Sequence, residues 1–125
     1  MKKIFILLIL LCIVLLNCYN NQSEFTLSNY FQTGKITKYI DEERCNTLIG
    51  ESIYLDTIEI DSALNNLNAT IKFAEYIADK DLTILYCNSP LINKTIVVKA
   101  ETINLQIALT DEYTVIGWPM ILGSF

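Results

Sequence analysis

Thirteen consecutive apolar residues, Ile4 to Leu16, follow directly on Lys2 and Lys3. No polar residue interrupts the block, so a helix formed there has no wet face and cannot lie on the surface of a globular domain. It is also too short to cross roughly 30 Å of hydrocarbon as a helix. A basic start, an apolar run of this length and a polar continuation make up the pattern of an export signal that is removed after use. Residues 1–17 are therefore read as a cleaved signal peptide, which leaves 108 of the 125 residues for the mature protein.

The apolar block ends in Leu15-Leu16-Asn17-Cys18. This resembles the lipobox of bacterial lipoproteins, where a cysteine is diacylated and the chain is cut just before it. Leu15 stands three residues before the cysteine, where that family usually carries leucine. Asn17 departs from the Gly, Ala or Ser usual beside the cysteine, which keeps ordinary cleavage and secretion open. The resemblance implies lipidation at Cys18 and a membrane partner reached through that anchor; two or more acyl chains hold a protein stably where one does not. Residues 18–23 then form a polar tether, and residues 24–125 a single small domain. Tyr19 is not the Asp linked to inner-membrane retention in some lipoproteins, so the resemblance points to the outer membrane of the cell envelope.

Charge narrows the partners. The chain carries a net −5, and losing Lys2 and Lys3 leaves seven basic against fourteen acidic residues, a net −7. Nucleic-acid affinity comes mainly from neutralising phosphates with Lys and Arg, so no nucleic-acid partner is expected. Histidine is absent, which removes imidazole bases and imidazole metal ligands. No CxxC, G-x-S-x-G, P-loop or H-E-x-x-H pattern occurs. The acidic groups Asp41-Glu42-Glu43, Asp56/Glu59/Asp61 and Asp79/Asp81 lack calcium-loop spacing and read as solvated surface. The expectation is a protein that is not an enzyme, with no catalytic residues, cofactor or metal.

Four cysteines are present: Cys12 leaves with the signal, Cys18 is consumed by lipid, and Cys45 and Cys87 remain. An even pair in an oxidising compartment suggests a Cys45–Cys87 disulfide, worth about 4 kcal/mol in the chain-entropy model for a loop of this length. Two unpaired buried thiols are the alternative.

The mature chain reads as α+β: one amphipathic helix packed on a small mixed β-sheet. Asp61 or Ser62 caps a helix whose apolar positions Leu64, Leu67, Ile71, Ala74, Ile77 and Ala78 recur at spacings of three and four. Strands are expected at 52–60, 82–87, 95–100 and 113–122, with two short strands or an irregular lead-in at 24–27 and 35–40. Residues 103–109 alternate like a strand yet also offer Leu105, Ala108 and Leu109 as a short helical face. The aromatics Tyr30, Phe31, Tyr39, Tyr54 and Trp118 either line a ligand groove or fill the core.

The order helix, strand, turn, strand, Leu-x-x-Ala-Leu is similar to the secretin and TonB N-terminal short domain. The matching stretches are Ile71 to Ala78 as a helix, Leu82 to Tyr86 and Asn93 to Lys99 as strands, and Leu105 to Leu109 as a second helix. That resemblance implies a docking module with an envelope protein as its partner. A secreted or surface-exposed ligand-binding protein is the alternative. Docking calls for an exposed sheet edge or apolar patch; ligand binding calls for a pocket lined by the aromatics.

Overall fold

The computed structural model describes residues 2–20, 25–45, 47–56 and 59–122, with no side-chain detail for residues 15–20 and 47. The apolar block forms helix α1, Lys2–Asn20. Its large apolar side chains from Ile4 to Val14 are 45–67% exposed, so this face-less helix packs into no core.

Among the described residues eight strands follow: β1 Lys35–Asp41, β2 Thr47–Asp56, β3 Thr70–Ile77, β4 Leu82–Asn88, β5 Ile96–Val98, β6 Glu101–Ile103, β7 Leu105–Leu109 and β8 Tyr113–Trp118. Six build one sheet in the order β1-β2-β8-β7-β4-β3, and β5 and β6 form a separate hairpin. Every pairing is antiparallel. The expected α+β arrangement of one helix on a small mixed sheet is therefore not the architecture: the domain is mainly β, and its sheet is wholly antiparallel.

The error lies in residues 70–78. Helix α2 spans only Ile60–Asn66 and carries no side-chain cap bond from Glu59. Asn68 then takes the left-handed conformation, φ 49°. Its N–H donates to the Asn65 carbonyl at 3.2 Å and that of Ala69 to Leu64 at 2.8 Å, the paired bonds of a Schellman stop. Asparagine tolerates that backbone, which most residues avoid. Beyond it, Ile71, Phe73 and Tyr76 favour extended chain, and β3 pairs with β4 from Thr70↔Asn88 to Ile77↔Leu82. The Leu105–Leu109 stretch is likewise a strand, β7. Both stretches read as helices in the secretin-type resemblance are thus strands. Residue 24 of the expected lead-in and residues 57–58 of the expected 52–60 strand lie outside the described residues; Leu27–Asn29 is a single 3-10 turn.

Strand alternation divides the apolar residues between two faces. On one, Ile53, Leu55, Leu85, Leu105, Ile107, Ile116 and Trp118 pack under Phe25, Leu27, Ala63, Leu67 and Ile92. This face is covered by the segment before β1, by α2 and by the loop after β4. On the other, Leu82, Ile84, Tyr86 and Ala108 pack against Ile96, Val98 and Ile103 of the hairpin and against Ile121. β7 is buried on both faces, as expected of a central strand.

Two buried polar centres tie the covering segments down. Glu51, fully buried, accepts hydrogen bonds from the Trp118 indole N–H at 2.8 Å, the Leu27 backbone N–H at 2.9 Å and the Thr26 hydroxyl at 3.1 Å. Asn104 donates to the Ser89 and Ile92 carbonyls and accepts from the Ser89 N–H, which shapes the loop over the same core. Glu51→Ala leaves two buried N–H donors unpaired. A loss of roughly 3 kcal/mol in urea unfolding is expected. The hairpin turn carries the opposite opportunity. Lys99 and Ala100 both hold positive φ, 50° and 63°, where glycine costs least. Ala100→Gly is expected to raise stability by about 1 kcal/mol, read as a higher melting temperature.

Candidate functional site

The hairpin covers the second face of the sheet only over β3, β4 and β7. Over β1, β2 and β8 that face stays open, apart from a strap formed by residues 119–122. The strap lies close because two positions beneath it are glycine. A Cβ on Gly117 would sit 2.8 Å from the Ile121 Cα, and one on Gly50 would sit 2.7 Å from the Trp118 carbonyl. The Ile121 N–H donates to Gln106 Oε1 at 2.8 Å, and the Tyr39 hydroxyl donates to the Leu122 carbonyl. These bonds hold the strap against the sheet.

Between the strap and the other end of the strands lies a groove of about 440 Å³. The pairings Thr37↔Ser52, Lys35↔Tyr54, Ser52↔Gly117 and Tyr54↔Val115 place its floor and walls on one face. Thr37, Ser52 and Val115 line it between Tyr39 and the strap on one side and the tyrosines of the far wall on the other. There Tyr54 stacks on Tyr113 with ring centroids 5.2 Å apart and planes at 22°. Tyr54 keeps half its surface exposed. Lys35 is the only charged side chain among the described residues that line the groove. The Ser52 hydroxyl oxygen is buried and has no hydrogen-bond partner in the structure.

Of the aromatics singled out in the sequence, Tyr39 and Tyr54 line this groove. Tyr30, Phe31 and Trp118 belong to the core of the opposite face, where Phe25 stacks on Tyr30 and meets Trp118 edge-on. Tyr113, which sequence reasoning did not single out, completes the aromatic wall. Its Asp56↔Tyr113 pairing joins segments far apart in sequence, and no local pattern announces it.

The expected Cys45–Cys87 bridge is not formed. Cys87 is a free thiol, fully buried on β4 with its side chain in the core. Cys45 lies in the turn between β1 and β2, outside that core, with φ 56°. Even cysteine number and compartment say nothing about whether two side chains meet within disulfide reach. The side chain of Cys18 lies outside the described residues. Burial pushes the Cys87 thiol up to about 12 from its ordinary 9.0. The folded state therefore keeps this proton where the unfolded chain loses it. Its contribution to stability is full below pH 9.0 and falls as pH climbs toward 12.

The acidic groups remain apart. Asp41 accepts the Glu43 N–H at 3.1 Å and sits 3.9 Å from Arg44, a solvated turn. Among the described residues no group of three His, Cys, Asp or Glu could hold a metal, and no helix is long and apolar enough to cross a membrane. No family model matches the chain, and neither a curated protein nor a solved structure matches it.

Because only the thiolate is a good nucleophile, Cys87 in the native protein is expected to resist iodoacetamide at pH 8 and to alkylate fully in urea. Peptide-resolved mass spectrometry reads the difference.

Proposed function

We propose that this chain is an exported binding domain, tethered to an envelope membrane through a lipid on Cys18, and that it captures its ligand in the groove over β1, β2 and β8. It acts by binding, without catalysis. The observation that carries the reading is the uncovered half of the second sheet face. An antiparallel sheet with one face packed ordinarily turns charged and polar residues to water on the other. Here the polar residues of the open half, Lys35, Thr37 and Ser52, line a concavity walled on one side by the stacked Tyr54 and Tyr113. The exposure of the large apolar side chains of α1 from Ile4 to Val14 supports removal of residues 1–17 as a signal. The outer membrane is the preferred location, and secretion is the alternative.

A second reading, docking onto another envelope protein, draws on the free edge of β3, where Ile71 and Tyr76 are 44% and 63% exposed. That edge is interrupted between Ile71 and Phe73 by a bulge carrying Lys72, and β1 has its own irregularity at Tyr39/Ile40 beside Lys38. Bulges and lysines are the devices that keep sheet edges from pairing. The groove is therefore the better candidate.

Expression of the full chain in a bacterium with an intact lipoprotein pathway, followed by intact-mass measurement of the detergent-extracted protein, tests the anchoring. A species beginning at Cys18 with added acyl mass is expected, and Cys18→Ser should lose that mass. Full-length protein in the cytosol with Met1 retained overturns the reading.

A further inference from the structure

Taking the groove as a binding site, we propose that its ligand is a saccharide ring bearing a carboxylate. Three features define that chemistry. The exposed ring of Tyr54, fixed by stacking on Tyr113, offers a flat apolar platform with an electron-rich face. Such a surface matches the polarised C–H face of a pyranose. Hydroxyls line the floor beside it. Thr37 lies opposite Ser52 in the strand register, and the Ser52 oxygen is buried without a partner. A buried polar atom left unpaired is costly, and a serine side chain turns readily between staggered rotamers. A ligand hydroxyl at the floor supplies the missing bond.

Charge decides the rest. Among the described residues no ion pair involves Lys35, in a chain of net −5, and no acidic residue of those described lines the same space. A lone lysine suits one carboxylate. The described lining offers no arginine and no second cation beside Lys35, so a singly charged carboxylate is matched better than a doubly charged phosphate. Nucleic acid needs many cations. A peptide strand would have to pair with β1, whose register slips at Tyr39/Ile40. The volume, about 440 Å³, lies within the range that small-molecule sites occupy.

The test uses the full chain in detergent, titrated with trigalacturonate, galacturonate, maltotriose and benzoate, and followed by tyrosine fluorescence and calorimetry. Trigalacturonate is expected to bind at least about tenfold more tightly than neutral maltotriose, with the preference weakening at high salt. Monomeric galacturonate separates recognition of a free acid sugar from that of a polymer; binding by either one supports the proposal. Lys35→Ala should erase the acid preference, bringing trigalacturonate level with maltotriose, and Lys35→Arg should retain part of it. Tyr54→Ala should weaken all saccharides about tenfold, with thermal melts showing that each variant is folded. Equal affinity for acidic and neutral sugars, or an unchanged preference in Lys35→Ala, overturns the carboxylate. Binding of benzoate alone overturns the sugar but leaves the groove a binding site. Failure of every probe overturns the proposal. In that case a photocrosslinker at Thr37, applied in the envelope fraction, decides the parent reading: a crosslinked protein makes the groove a docking face, and none at all removes the groove as a binding site.

Discussion

A buried carboxylate joins the parts of this domain that are farthest apart in sequence. Glu51 sits on β2, directly opposite Trp118 of β8, and takes hydrogen bonds from the Trp118 indole and from the backbone before β1. A carboxylate removed from water without donors is prohibitively costly. With these donors in place, the same cost penalises any arrangement that separates them. The constraint fixes β8 beside β2, closing a sheet whose intervening strands were added by a long excursion through β3, β4 and β7. It also holds Phe25 and Leu27 as the lid of the larger core.

The open groove follows from that closure. Once the first face is covered by residues before β1 and by α2, only the short β5–β6 hairpin and the strap are left for the second. The hairpin's apolar residues reach β4 and β7, held further by Lys99, which pairs with Glu75 and lies 5.7 Å from the centre of the Phe73 ring. Nothing described covers β1, β2 and β8 beyond the strap. There the outward residues turn from Leu and Ile to Lys, Thr, Ser and Tyr, as a wet but structured surface demands.

Much of the strand pattern was legible. The run at 82–87 falls on a strand, the one at 113–122 does so as far as Trp118, and of the two pieces read as short strands or lead-in the one at 35–40 is a strand. The helix expected over 61–78 failed because Ile71, Ala74, Ile77 and Ala78 fit a helical stripe and a half-exposed edge strand equally well. Phe73 and Tyr76, which the helical stripe left unexplained, together with Asn68 at the turn, were the local signals for the strand. The site was half legible: Tyr39 and Tyr54 stood out as aromatics, but only the β2–β8 pairing adds Tyr113 and separates them from the core residues Tyr30, Phe31 and Trp118.

What the sequence determined by itself was chemical and local. An apolar block without a polar face has no place in a small domain, a chain without histidine has no imidazole chemistry, and a net acidic charge disfavours phosphate polymers. The tertiary structure alone decided which residues meet. Whether residues 70–77 become helix or strand depends on backbone hydrogen bonds from β4, a separate segment. Whether Cys87 finds a partner depends on its facing the core, and whether Tyr54 and Tyr113 make a wall depends on strand register. Each outcome is set by pairing between distant segments, and the periodicity of a single segment carries no record of what lies beside it.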